Sequence, residues 1–350
     1  MDTIIKKITN SPEDKEVYQQ AAQIIHNGGL VAFPTETVYG LGADAMNKAA
    51  AAQIYQAKGR PSDNPLIIHI AEVEELGRVA EEVNEKAKKL MKEFWPGPLT
   101  LIFRKKEEVP FETTGGLDTV AVRMPSHPVA QKLIKESRTV IAAPSANTSG
   151  KPSPTQASHV KEDLYGKIDM LIDGGNVGIG IESTIMDMTV EPPMLLRPGY
   201  ITMPMLEQAI GKIQVDPFLA GDMKEPVKPK APGMKYRHYA PKAELFIVEG
   251  ELSQVVAKIN YLAEEKRKQG YKIGIIATEE TKGFYCGDSV RVIGTRKDEA
   301  SIAKHLFSVL REFDKMGTEY IFSEAFSEEN LGQAIMNRLI KAAGHQIIRL

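Results

Sequence analysis

Residues 58–69 read KGRPSDNPLIIH: a lysine and an arginine one residue apart, an Asp-Asn pair between two prolines, then an apolar run ending in histidine. A fork-shaped guanidinium beside a point-charge ammonium suits phosphate oxygens. Pro61 and Pro65 stiffen the loop, which lowers the ordering cost of gripping a ligand. Asn64 adds an amide for a base, ribose or phosphate. Lys58 and Arg60 also follow a helical stretch, where the last carbonyls favour cations whatever the function. A second polar loop, PSANTSGKPSPT (144–155), gathers Ser145, Thr148, Ser149 and Ser153 around Asn147, Gly150 and Lys151, directly after the apolar run VIAA. Small polar groups at the C-terminal end of a strand sit where open α/β sheets place ligands, although a Ser/Pro turn looks the same. GGNVGIGIEST (174–184) is a third such loop, and its GxG piece lacks the spacing of a dinucleotide fingerprint. GxxxxGK[ST] is absent, so a nucleotide would need another cradle.

Single residues carry paired readings. His69 ends an apolar strand, as a hydrogen-bonded core histidine or a site residue. Arg123 interrupts the buried run VAVRM, and a buried guanidinium demands an anion, internal or bound. Arg197 in LLRPG caps a turn or faces a ligand. Thr35 and Tyr39 in FPTETVYGLG follow the end of a buried strand. The seven histidines show no HxxH or HExxH spacing, so no metal held by the protein is expected. No Ser/His/Asp order can be defended, so no covalent nucleophile is expected.

The elements that must position these loops alternate between helix and strand. Residues 14–27 place Val17, Ala21, Ile24 and Ile25 on one helical face, and Gly28 and Gly29 stop that helix. LVAF (30–33), LIIHI (66–70), LTLIF (99–103), VAVRM (120–124), VIAAP (140–144), MLID (170–173) and TIMDM (184–188) are strand-like, and AAAAQIYQA (49–57) is helical. The mixture predicts an α/β catalytic domain over 1–210 with one large open twisted sheet. Residues 211–242 contain prolines at 217, 226, 229, 232 and 241 and no sustained period, which reads as a linker. Its stretch 224–242 carries Lys224, Lys228, Lys230, Lys235, Arg237 and Lys242 against Glu225 alone, with Tyr236 and Tyr239 interleaved. That suits a solvated tether or a lid over an anionic ligand. Alternation resumes in ELFIV from Glu244, a helix over 252–268, KIGIIA, VRVI, a helix over 298–315, YIFSE and a helix over 328–343. These make a small α/β, Rossmann-like domain over 243–350.

The 350 residues allow two such domains. An apolar content of 42% and a mean hydropathy of −0.24 are those of a globular protein with real cores. A net charge of −2 supplies no global pull toward nucleic acid or membrane, so a polyanion site must be local. One cysteine, Cys286, excludes an internal disulfide framework and fits a reducing, cytoplasmic setting. The N-terminus has no signal-like apolar region, and no run approaches a membrane span.

Taken together, FPTETVYGLG, KGRPSDNPLIIH, WPGPLT, VAVRMPSHP, APSANTSGKPSPT, the EST turn, LLRPG and PGMKYRHYAP closely resemble the threonylcarbamoyl-AMP synthase family in its long form, with a YrdC-like catalytic domain, a linker and a smaller C-terminal domain. The motifs cover residues 30–241 in the family's order, and the last third fits by position and α/β pattern. The resemblance implies a sheet curved around a basic cavity. It also implies that L-threonine, bicarbonate and ATP, with Mg²⁺ carried on the triphosphate, give threonylcarbamoyl-AMP and pyrophosphate. A downstream tRNA threonylcarbamoyl transferase system would then modify the adenosine next to the anticodon. Carried over by motif, Lys58 and Arg60 are the catalytic cations. They bind ATP together with Asn64, Thr119, Ser145, Ser153, Arg197 and, from the linker, Tyr236. Thr35, His69, Arg123, Ala143 and Ser183 surround threonine and its carbamate. Direct tRNA binding is expected to be weak or absent, and no membrane partner is expected. The rival from another class is a non-catalytic RNA-binding or ribosome-associated protein, against which the net charge and the lack of an RNA-binding aromatic motif weigh. A carbamoyltransferase of the hydrogenase-maturation kind would need zinc-finger cysteines that this chain lacks.

Overall fold

A computed structural model describes residues 2–217, 219 and 238–350. The chain forms two compact units. The first begins β1 (Ile4–Lys7), α1 (Asp14–His26), β2 (Val31–Pro34), β3 (Tyr39–Asp44), α2 (Lys48–Lys58), β4 (Ile67–His69), α3 (Glu85–Phe94), β5 (Leu99–Arg104) and α4 (Phe111–Thr114). It continues β6 (Thr119–Arg123), α5 (Pro128–Ser137), β7 (Ile141–Ala142), α6 (Ala157–Leu164), β8 (Met170–Asp173), β9 (Thr184–Asp187), β10 (Met194–Arg197), α7 (Met203–Ile210) and β11 (Gln214–Val215). The strands join in one mixed sheet, ordered β1-β8-β2-β3-β7-β4-β6-β5-β9-β10-β11. The second unit holds a five-stranded parallel sheet. Its strands and helices are β12 (Glu244–Glu249), α8 (Leu252–Lys268), β13 (Ile273–Ala277), β14 (Ser289–Val292), α9 (Glu299–Met316), β15 (Tyr320–Glu324), α10 (Asn330–Ala342) and β16 (Ile347–Arg349). The α/β class expected from the sequence is the class observed.

Period-two alternation splits the large sheet into two apolar faces. Leu41, Ile68, Val122, Leu101, Met186 and Leu195 point to one face, where α2, α3, α6 and α7 supply Ile54, Leu90, Val160 and Leu206. On the other face α1 and α5 cover β2 and β8 through Ile25, Leu133, Val31, Phe33 and Ile172. Farther along that second face, Ile67, Ala121, Ile102, Ile185 and Leu196 form a separate small cluster. The polar residues of β4, β6 and β5 share the face of that cluster.

Several strands fall outside the sequence expectation. β1 is IIKK with all four residues exposed, so no alternation marks it. β3, YGLGAD, contains two glycines, which strands usually avoid. Gly42 is explained by Phe33. A Cβ on Gly42 would lie 2.7 Å from the Phe33 ring and 2.8 Å from Ile141 Cγ2, so the ring fills the space a side chain would take. β10 was concealed by the LLRPG turn, and β16 is three residues long. β11 lies inside the segment read as a linker and extends the sheet by pairing parallel to β10.

Gly42→Ala should therefore lower stability by about 1–3 kcal/mol, the usual cost of overpacking a tight interior. Denaturant unfolding monitored by circular dichroism measures it, and an unchanged midpoint would contradict the packing described here.

Candidate functional site

The site grows from one row across the sheet. His69 of β4 pairs with Arg123 of β6, and Arg123 pairs with Thr100 of β5, so the three side chains share a face. Thr119 opens β6 on the same face, four residues before Arg123. Thr100 Oγ1 lies 2.7 Å from Ser183 Oγ, just before β9. Arg197, the last residue of β10, donates from Nε to the Ser183 carbonyl (3.0 Å) and from a terminal nitrogen to the Ser183 hydroxyl (3.2 Å). At the other end, Ala143 follows β7 and its N–H donates to the Ile67 carbonyl at 2.8 Å. From β7 to β10 five strand spacings separate these groups, roughly 24 Å at about 4.8 Å each.

Local sequence explains how each loop reaches the row. Asn47 caps α2 by accepting from the N–H groups of Ala49 and Ala50, and Gly59 closes the helix at φ +61°. Lys58 is therefore the last helical residue, and its Nζ donates to the carbonyls of Ser145 and Asn147. Ser145 Oγ donates to Asn147 Oδ1 at 2.6 Å, and Ser145 itself bridges to Gly40 of β3. Arg60 turns its fork onto the carbonyls of Asn64 (3.3 Å) and Pro65 (3.1 Å), which braces the proline-walled loop from inside. Asn64 Oδ1 is buried and has no hydrogen-bond partner among the described residues, so an acceptor there lacks a donor. Ser153 donates to Glu182, which precedes Ser183.

Arg123 has found an internal anion, one of the two alternatives its burial demanded. Its guanidinium donates to Glu36 at 2.5 Å, to Thr37 Oγ1 at 2.9 Å and to the Gly97 carbonyl at 3.2 Å. Thr35 donates to the Val38 carbonyl at 2.6 Å and lies 2.9 Å from Thr37 Oγ1. Each hydroxyl has one proton, so the polarity is fixed: Arg123 donates to Thr37, Thr37 to Thr35, and Thr35 to Val38.

His69 is 4% exposed and its Nδ1 lies 3.0 Å from the Ile67 carbonyl, which can only accept, so Nδ1 carries the proton. Burial, reinforced by the Arg123 charge, lowers its pKa to about 3 against the opposing pull of backbone hydrogen bonds at Ile67 and Ile141. Such an imidazole is neutral at pH 7 and a poor proton acceptor.

The structure brings together Thr35, His69, Arg123, Ala143, Ser183 and Arg197 along the row, while Thr119 lies on the same face at the other end of β6, paired with Arg104. Lys58, Arg60, Asn64, Ser145 and Ser153 stand on the flanking loops. Tyr236 lies outside the described residues, as do Lys224, Lys228, Lys230, Lys235 and Arg237. Reading the sequence missed Glu36, Thr37, Thr100 and Glu182, and named Asn147 only as part of its polar loop. Thr100 had a signal, since a lone polar residue in LTLIF must share one face with Ile102. Among the described residues, no group of three or more His, Cys, Asp or Glu is placed to hold a metal ion, and no helix is long and apolar enough to cross a membrane.

A mixed sheet with cations, hydroxyls and main-chain carbonyls gathered along one row defines a class, and the family comparisons agree with it. The Sua5/YciO/YrdC family model, described as "Telomere recombination", matches residues 23–199. The model described as "Threonylcarbamoyl-AMP synthase, C-terminal domain" matches residues 201–344. The chain belongs to the Sua5/YciO/YrdC family, in the form that carries this C-terminal domain. It is 51% identical to the threonylcarbamoyl-AMP synthase of Pyrococcus abyssi over 99% of this chain and 100% of that one. With the threonylcarbamoyl-AMP synthase of Bacillus subtilis it shares 49% identity over 97% and 96% of the two chains. A crystal structure of P. abyssi Sua5, described as complexed with L-threonine, superposes with a TM-score of 0.93 at 49% identity over the whole of both chains.

The shifted histidine gives a test by pH. Its folded pKa, about 3, lies below the unfolded 6.5, so between these values the unfolded chain binds the extra proton. The contribution is intact above pH 6.5 and is lost as pH falls through 3, on the order of 5 kcal/mol in all. Melting temperatures across pH 3.5–7 should fall less steeply for His69→Gln than for wild type; parallel curves would contradict the shift.

Proposed function

We propose that the protein makes L-threonylcarbamoyl-AMP from L-threonine, bicarbonate and ATP, releasing pyrophosphate, as a nucleotidyltransferase. The product serves threonylcarbamoylation of the tRNA adenosine next to the anticodon, through a downstream transferase system in the cytoplasm. The observation that carries this reading is the row itself. Along it the buried Arg123 and Arg197 stand beside the hydroxyls of Thr37 and Ser183, the buried Lys58 and Arg60 stand on the adjoining loops, and full-length relatives are named as synthases of this compound. Those names favour catalysis over the rival reading as a non-catalytic RNA-binding protein.

The chemistry asks for little covalent help. Threonine's amine and bicarbonate form a carbamate, whose oxygen attacks the α-phosphorus while pyrophosphate departs. Nucleotidyl transfer needs alignment and neutralisation of growing negative charge. Lys58 and Arg60 supply that charge in the loops proposed to hold the triphosphate, with Mg²⁺ arriving as part of the substrate. The unpartnered Oδ1 of Asn64 asks for a donor, which favours a base amino group or ribose hydroxyl at that atom over a phosphate oxygen. Thr119, Ser145, Ser153 and Arg197 complete the nucleotide side, and Tyr236 belongs to it by motif. Thr35, His69, Ala143 and Ser183 line the amino-acid side. There Arg123 takes the α-carboxylate and the neutral His69 orients the substrate without accepting its proton.

Pyrophosphate release should require ATP, L-threonine and bicarbonate together, and release that ignores threonine overturns the assignment. Arg60→Ala should lower kcat/KM by about 10²–10³, the usual cost of losing one electrostatic stabiliser.

A further inference from the structure

Glu36 has no role in the reaction described so far, yet it is the anion on Arg123. One of its oxygens accepts from the guanidinium at 2.5 Å, and the other accepts from the Ser126 main-chain N–H at 3.2 Å. The carboxylate is thus held from both sides, with 13% of its side chain exposed. A guanidinium has five N–H groups. Gly97, Thr37 and Glu36 take one each, from Nε and from the two terminal nitrogens. That leaves one N–H on each terminal nitrogen uncommitted among the described residues. Two N–H groups on neighbouring nitrogens are what a carboxylate needs for a two-point bond.

We infer that Glu36 is a positioning residue for the amino-acid subsite, fixing the Arg123 guanidinium so that its two remaining N–H groups meet the substrate's α-carboxylate. This rests on the assignment of Arg123 to that carboxylate. Three supports from two parts of the chain fix the plane, since one point cannot: the Gly97 carbonyl between α3 and β5, and the Thr37 hydroxyl and Glu36 carboxylate of the loop before β3. Gly97 and Thr37 are neutral partners. Glu36 contributes a charge-assisted bond and is itself locked to the chain at Ser126. Losing it frees the guanidinium to rotate, and the error falls on threonine binding rather than on the triphosphate loops at residues 58–65 and 144–153.

The test measures pyrophosphate release while threonine and ATP are varied separately, with melting temperature as the folding control. Glu36→Ala should raise the KM for threonine tenfold or more and leave that for ATP within twofold. Glu36→Asp, which keeps the charge and shortens the reach, should raise the threonine KM several-fold. Glu36→Gln, which keeps the reach and a hydrogen bond, should stay within about threefold of wild type. If Glu36→Ala does not fold, the Asp and Gln variants decide by the same comparison. Wild-type turnover with an unchanged threonine KM in the Ala and Asp variants, or an equal rise for both substrates, overturns the role of Glu36. Wild type without threonine-dependent release overturns the reaction itself and this inference with it.

Discussion

Burying a positive charge is costly unless the fold surrounds it with partners. Lys58 and Arg123 are 1% and 4% exposed; Lys58 donates to the main-chain oxygens of Ser145 and Asn147, and Arg123 to the Gly97 carbonyl, the Thr37 hydroxyl and the Glu36 carboxylate. Arg60 and Arg197 follow the same rule with the carbonyls of Asn64, Pro65 and Ser183. Carbonyls carry partial charge only, so these bonds solvate a cation without themselves cancelling its charge. Arg123 also has a full carboxylate against it, that of Glu36.

This solvation constrains the backbone. The carbonyls come from the turn after β7, the loop before β4, the WPGP stretch before β5 and the turn before β9, and each must arrive at a set angle. WPGP shows how that is done. Trp95 Nε1 donates to the Leu99 carbonyl at 2.7 Å, and the Gly97 N–H donates to Met124 at 2.8 Å, leaving the Gly97 carbonyl for Arg123. A Cβ on Gly97 would lie 2.4 Å from the Phe94 carbonyl, so the turn requires glycine. Rigid loops held this way suit a reaction whose barrier falls through alignment and fixed charge.

His69 illustrates how tertiary surroundings choose between chemistries that a residue type leaves open. Its imidazole stacks edge-on against Phe33 at 6.4 Å between ring centres and sits next to the Arg123 charge. Both a dry environment and a nearby cation disfavour imidazolium. A histidine in this place is a fixed neutral hydrogen-bonding group.

Helix ends and apolar strands were legible from the sequence because their signals are local. Asn47 and Gly59 bracket α2, and the alternation in LTLIF and VAVRM assigns each residue a face. The motif loops, the cationic character of KGRPSDN and the demand of Arg123 for an anion were also local facts. Which anion answers that demand was not, because Glu36 and Arg123 are 87 positions apart and meet only after β3, β7, β4 and β6 have ordered side by side. The same holds for Thr100 against Ser183, and for β3, whose Gly42 looks unlike a strand residue until Phe33 is packed over it. The chain by itself determined which groups carry charge and where segments turn, since those depend on residue type and near neighbours. Tertiary structure decided which groups face one another and which protonation state survives, since those depend on strand order and burial.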